Sequence, residues 1–556
     1  MRYRTSVGVL QFCAPLSRIL VAGAVLGVLL ANPGSVIAQA PLDYPAGAGL
    51  QQPGSGTALP GSVGELTAPR RGAIGWWTQS SITTQATLTN NANYGTTGER
   101  AGDLIIEVIP SISFNREGSR LRASGFLSLD MLAYVDGTQT SRILPQASIF
   151  SSLEAVENLF FVDGTLSANQ SFINPFLPRA EFSSTNNKFT SVQAGIAPYL
   201  KGNIGQYVNW LIRSDNSFTW TTQTDQPLSN AYYVRNLAEI SRQPTPFGVT
   251  LRLTNDMTRI ENQVQPDQTL NTGLAIFNYA FSPQFTFGLR GGYENTTYTA
   301  QETAGPVYGA NVAWKPSPLT SLIGYWEERF YGPSYQFEAS HRQRRFATSA
   351  NFYRTISTYP QVLFQIPSTS DVSGLLNAIL TARFPDPLER AQAAQELMLR
   401  QGLPDALPAG TYIYNQSANI LTGGNVNWAL IGPRNTLALN LYYLKTDLLP
   451  DARVPPTFIV FNNNIQQGGG ISLSHSLTPV ISLNGTVSTL YTRGFGPNEG
   501  LNSRQNLASL QSNWQMSSRI TTFVGTRFQD QTSTSLALAG TESSEFSIYA
   551  GLTYRP

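Results

Sequence analysis

The sequence predicts an all-β protein, a single antiparallel transmembrane β-barrel of about 22 strands (range about 18–24) with a helical loop insertion at about 359–410. Three observations predict it. Hydrophobicity alternates with period two in segments of about twelve to fifteen residues, against about five or six in soluble sheets. Short turns and longer polar loops take turns along the chain, as they do in outer-membrane barrels. An export signal precedes a chain in which 13% of residues are charged and no cysteine follows Cys13.

Residues 1–40 read as a signal peptide. Arg2, Arg4 and Arg18 form a positive leader, ILVAGAVLGVLLA (19–31) a short apolar run, and Ala38-Gln39-Ala40 a small-x-small cleavage site. The apolar run is too short to make a spanning helix the default. Cys13 precedes this run, so it does not mark a lipoprotein. Cleavage near Ala40 is expected, with the mature protein in the outer membrane of a Gram-negative bacterium. Residues 41–72, rich in Pro, Gly and Gln, are expected to be a flexible leader, and the barrel to occupy 73–556.

In DLIIEVIPSISFN, Leu104, Ile106, Val108, Ile112 and Phe114 oppose Asp103, Glu107, Ser111 and Ser113. In FGVTLRLTND, Phe247, Val249, Leu251 and Leu253 oppose Thr250, Arg252 and Asp256. Phe285, Phe287, Leu289 and Tyr293 oppose Gln284, Thr286, Arg290 and Glu294, and the last strand repeats the pattern from Phe546 to Tyr554. Short turns fall at FNREGS (114–119), LKGN (200–203), FSPQ (281–284), KPSP (315–318) and SLTP (476–479); longer loops include DGTQTSR (136–142) and RGFGPNEGLN (493–502). Tyr199, Tyr279, Phe281, Trp314, Trp514 and Tyr554 are placed near the short-turn rim and Tyr293, Tyr298 and Tyr491 near the other, where amphipathic rings favour the headgroup level.

An inward barrel face tolerates charge. The candidate lumen-lining residues are Arg120, Arg122, Asp130, Arg252, Asp256, Arg290, Glu294, Glu327, Arg329 and Arg527; mixed signs on facing strands make ion-pair ladders or a path for a hydrated solute. Glu328, between Glu327 and Arg329, takes the opposite face near the membrane rim. Residues 359–410 break the period, and SDVSGLLNAILTARF and DPLERAQAAQELMLRQGLP read as two amphipathic helices, the second with Asp386 as N-cap, Pro387 at its first turn and Gly402 as C-cap. Leu375, Leu376, Ile379 and Leu380 form one apolar stripe and Leu388, Ala391, Leu397 and Met398 another, read as packing surface. This insertion is either an inward plug or an outward cap.

Catalytic and metal-binding signatures are absent. Two histidines, His341 and His475, are too few for a His-based metal site, and no nucleophile elbow, P-loop or HExxH occurs. No cofactor is expected. With 36 Lys+Arg against 34 Asp+Glu there is no basic footprint for nucleic acid, and the expected partner is outer-membrane lipid. HRQRR (341–345) reads as a solvated turn touching lipid phosphates. The sequence carries no signal for oligomeric state.

The runs TNNANYG, DLIIEVIPSISFNREGSRLRASGFLSLDMLAY, AVENLFFVDGTLSANQS and WKPSPLTSLIGYWEERFYGPSYQFEASHRQRRF resemble the PEP-CTERM-system-associated outer-membrane β-barrel proteins over most of the chain after residue 73. The most specific part is EERFYGPSY followed by HR, with Glu328, Arg329 and Gly332 at the family's characteristic positions. The resemblance implies association with exosortase and exopolysaccharide systems, with polysaccharide or secretion-system components as partners and no catalytic residues. Two features depart from the family pattern: the long 359–410 insertion and a Tyr-Arg-Pro terminus in place of a terminal aromatic. The function expected is that of a channel or scaffold for exopolysaccharide export or surface-protein anchoring. The alternatives are a general porin for small polar solutes and a non-conducting assembly scaffold.

Overall fold

A computed structural model describes residues 75–556 apart from 97, 178–186, 223–228, 262–266, 365–371, 382, 385–389, 391–392, 395, 399–400, 402, 404–416, 453–462 and 536–537. The signal and leader lie outside the described residues, as do Asp386, Pro387, Leu388, Ala391 and Gly402.

Twenty-two strands form one sheet. They are β1 (Gly75–Thr89), β2 (Asp103–Glu117), β3 (Leu121–Tyr134), β4 (Arg142–Val156), β5 (Phe160–Phe172), β6 (Lys188–Ile204), β7 (Val208–Thr222) and β8 (Ala231–Arg242). Next come β9 (Phe247–Ile260), β10 (Gln268–Ser282), β11 (Phe285–Thr296), β12 (Thr303–Ser317), β13 (Thr320–Arg329), β14 (Gly332–Arg342) and β15 (Phe346–Ser357). The last seven are β16 (Asn419–Ile431), β17 (Asn435–Leu448), β18 (Asn464–Ser476), β19 (Ile481–Gly494), β20 (Asn502–Gln515), β21 (Ile520–Ser535) and β22 (Leu538–Tyr554). Each strand pairs antiparallel with its sequence neighbours, and β1 pairs with β22 through Ile82–Tyr554 to Thr89–Ser547. Closure leaves no unpaired strand edge, which hydrocarbon would not tolerate. The expected strand number and fold class are both met.

The long strands follow from the alternation. Register places Leu104, Ile106, Val108, Ile112 and Phe114 on one face of β2, and Asp103, Glu107, Ser111 and Ser113 on the other. Outward residues keep large apolar exposure, with Phe281 at 64%, Leu253 at 63% and Leu289 at 60%, whereas inward Arg252, Asp256, Arg290 and Glu294 are buried. This is a cylinder with an oily outside and a polar inside. Arginine at Leu253, midway along β9, should therefore cost about 2–4 kcal/mol against bilayer, although Arg252 beside it is native. Urea unfolding of the membrane-inserted barrel measures the difference, and a Leu253→Arg midpoint equal to the wild-type one would show that the face is not in lipid.

Several details differ from the sequence reading. β6 continues to Ile204, past the turn expected at 200–203. Tyr199 points inward and stacks on Phe161 at 5.0 Å, and Tyr298 is buried in a loop, so neither belongs to an aromatic rim. Tyr279, Phe281 and Phe285 do make one, with ring contacts of 4.7 and 5.6 Å along the short-turn rim. The outward face also carries a polar row. Ser214 Oγ lies 2.8 Å from Asn236 Oδ1, Asn236 donates to Asn255 at 3.1 Å, and Asn255 to Asn271 at 2.7 Å. Directly opposed amides satisfy one another there, which lowers the cost of facing lipid.

Candidate functional site

The site is the barrel interior. One wall carries a belt of buried charge running from β5 to β13. Arg213 binds Asp163 at 2.6 Å and Asp215 at 2.8 Å; Arg252 Nε and Nη2 both reach Glu239 Oε2, at 2.7 and 2.5 Å. Arg235 stands directly opposite Asp256, which also accepts the Tyr233 hydroxyl at 2.5 Å. Arg290 donates to Glu327 at 2.6 Å, and Arg329 to Glu294 at 2.6 and 2.9 Å. The five arginines and six carboxylates of this belt nearly neutralise one another.

Three of these pairs bridge strands that are not neighbours, Asp163–Arg213 across β6 and both Arg290–Glu327 and Glu294–Arg329 across β12, and for Arg290–Glu327 the intervening residue decides whether that is possible. Arg290 on β11, Gly309 on β12 and Glu327 on β13 share one cross-strand row. A Cβ on Gly309 would overlap the Trp326 carbonyl. Glycine thus leaves a groove through which the guanidinium reaches the carboxylate two strands away.

The EERFYGPSY segment locks a hairpin at the long-loop rim. Glu294 accepts Arg329 and also the Phe330 backbone N–H at 2.8 Å, fixing the two-residue turn Phe330–Tyr331. Gly332 follows with φ +89°, a conformation that side chains disfavour. Arg354 on β15 closes the far side, donating to the carbonyls of Tyr331 and Pro333. Glu328 faces outward, opposite Tyr308.

Of the other charges singled out from sequence, Arg122 and Asp130 take the inward face of β3 by register. Arg120 is exposed in the turn before that strand. Arg527 lies on the opposite wall, 3.3 Å from Glu545, which also accepts the Thr89 hydroxyl at 2.9 Å. Sequence reasoning missed Asp163, Arg213, Asp215, Arg235, Glu239 and Glu545. The signal for β7 and β8 is weak because Leu211, Tyr233 and Leu237 are apolar yet inward.

The insertion between β15 and β16 folds inward. At the long-loop rim Thr358 meets Thr258 of β9 at 2.9 Å, and the Pro360 carbonyl accepts Gln193 of β6 at 3.2 Å. Helix α1 (Tyr359–Phe364) therefore crosses from β15 toward the facing wall, and Tyr359 lies 6.2 Å from Phe189. Helix α2 (Val372–Leu380) returns to the wall near the short-turn rim. There Ala347, Ala429 and Ala438 stand directly opposite one another on β15, β16 and β17, a shallow row of small side chains. Leu375 and Ile379 pack on Ala347 and Ala429; Val372 and Leu376 pack on Ala438 with Met398 and Leu403. Each such buried aliphatic contributes about 1.5–3 kcal/mol before ordering costs. Backbone at Arg390, Ala393–Ala394 and Glu396–Met398 is helical, and the Gln401 carbonyl accepts Ser474 of β18 at 2.7 Å. The described parts of this segment thus lie inside the barrel, α1 at the long-loop rim and α2 on the inner wall near the short-turn rim. Above it, the β11–β12 and β17–β18 loops meet across the mouth, Ala300 N–H bonding the Asp451 carbonyl at 2.8 Å.

Among the described residues, no group of three or more His, Cys, Asp or Glu is placed to hold a metal ion. No family model matches the sequence, and no curated protein matches it. Among solved structures, the siderophore receptor PirA from Acinetobacter baumannii is similar at 9% identity and a TM-score of 0.44, over 87% of this chain and 81% of that one. PirA from Pseudomonas aeruginosa follows at 8% and 0.40, over 88% and 81%, and the FrpB iron transporter from Neisseria meningitidis at 7% and 0.45, over 86% and 82%. At such identities and TM-scores the likeness carries no ligand and no mechanism to this chain.

Proposed function

We propose that the protein is a plugged outer-membrane channel serving export of an exopolysaccharide or of anchored surface proteins, without catalysis, and that residues 358–418 are its gate. The short turns then face the periplasm and the long loops the outside. The observation that carries this reading is the seat of α2 on the alanine row: a barrel of this width encloses more space than wall side chains fill, and here the chain's own segment occupies it. An ionic wall of paired charges suits a polar, hydrated cargo, and the exopolysaccharide association is what the resemblance implies. A standing general porin fits less well, since its lumen would be open.

Planar-bilayer recording tests the reading. The intact protein should show essentially no current, and a variant with 358–418 replaced by a short turn should show large, stable openings. Large current from the intact chain would favour the porin, and silence from both would favour a non-conducting scaffold.

A further inference from the structure

Beside the charge belt, toward the short-turn rim, the inner faces of β7 to β14 line a cavity of about 130 Å³ that also touches the end of β8 at Arg242 and the turn residues Gln243 and Pro244. At about 10–15 Å³ per water-sized group, it has room for roughly ten such groups, the size of one hexose ring with its oxygens.

Its lining offers both halves of a hydrogen bond. Arg252, 6% exposed, commits Nε and Nη2 to Glu239, and its Nη1 has no partner. Asn311 donates through Nδ2 to Asn278 at 2.9 Å, and its Oδ1 has no partner. Gln336 donates to Glu338 Oε1 at 2.8 Å, leaving the second carboxylate oxygen to accept from a ligand. A guanidinium donor, an amide acceptor and a carboxylate acceptor thus line one cavity, with the Tyr325 ring in its wall. A hydroxyl both donates and accepts, so a polyol can satisfy all three. The buried cationic groups of the lining are paired: Arg252 binds Glu239 and Arg290 binds Glu327, while the Glu338 carboxylate is held by Gln336. An anionic ligand would find no unpaired buried cation there, and burying it would be costly.

We infer that this cavity binds one neutral, hydroxyl-rich sugar unit, entered from the short-turn side. The inference deepens the export reading and rests on it for the choice of a sugar; its own support is the two unpartnered buried atoms and the size of the cavity.

The test uses the full-length, plugged protein in detergent, with D-glucose as neutral probe and D-glucuronate as its charged counterpart, read by saturation-transfer NMR titration. Glucose should bind saturably, and glucuronate at least about tenfold more weakly. Asn311→Leu, which removes the acceptor, and Ile323→Phe, which fills the cavity, should each weaken glucose by about tenfold or more, with folded migration on unheated gels unchanged. No saturable glucose binding, unaltered affinity in Ile323→Phe, or equal affinity for glucuronate would each overturn the assignment. A barrel that conducts once 358–418 is removed yet binds no glucose defeats only this inference. Glucose binding in a protein that stays silent after that deletion defeats only the channel.

Discussion

Replacing Glu294 by alanine should destabilise the barrel by about 3–5 kcal/mol. Glu294 is 1% exposed and holds three donors: Arg329 Nε, Arg329 Nη2 and the Phe330 backbone N–H. Without it, Arg329 keeps a single described acceptor, Thr272 Oγ1 at 3.1 Å, for a guanidinium that stays out of water. The cost comes from that uncompensated charge more than from the lost attraction, because a buried pair has already given up its hydration. The double variant Glu294→Met with Arg329→Met should therefore cost much less than the single variants Glu294→Met and Arg329→Met added together. Urea unfolding followed by loss of folded-barrel migration gives all four corners of the cycle. Additive costs would show that the pair is solvated and that the interior belt is not a low-dielectric wall.

What the sequence made legible divides along physical lines. Alternation is imposed by lipid on one side, so the inward placement of Arg252, Asp256, Arg290, Glu294, Glu327 and Arg329 could be read from spacing, and a closed barrel of about 22 strands from spacing together with the alternation of short turns and long loops. Lipid does not dictate what the inner face carries. On β8 the inward residues Tyr233, Arg235, Leu237 and Glu239 mix ring, charge and aliphatic, which blurs the period and hid that part of the belt. Nor does a local pattern say which way an insertion folds. The stripe on α2 announced a packing surface, but its seat is assembled from Ala347, Ala429 and Ala438 on three strands. Alanine at those positions looks unremarkable one strand at a time, and only the register that sets the three side by side makes a groove for a helix. The outward Ser214–Asn236–Asn255–Asn271 row is the converse case, polar residues that satisfy each other across strands on the face expected to be apolar.

That seat yields the second large expected effect. Leu376→Glu should release the plug while leaving the barrel closed. Leu376 is fully buried against Val372, Met398, Leu403 and Ala438, and none of these side chains can bond a carboxylate. Keeping an ionised glutamate there would cost several kcal/mol, comparable to what the aliphatic contacts contribute. The 22-strand ladder does not depend on the helix, so the lower-energy response is for α2 to leave the wall. Limited proteolysis should then cut between 372 and 401 in Leu376→Glu and spare the wild type, with the barrel band retained, and single-channel recording should show openings. Leu376→Met, which conserves volume, should cost under about 1.5 kcal/mol and stay silent. A Leu376→Glu protein that resists protease and passes no current would mean that the segment is held by its ends alone, through Thr358 at one rim and Gln401 at the other, with the alanine row merely adjacent.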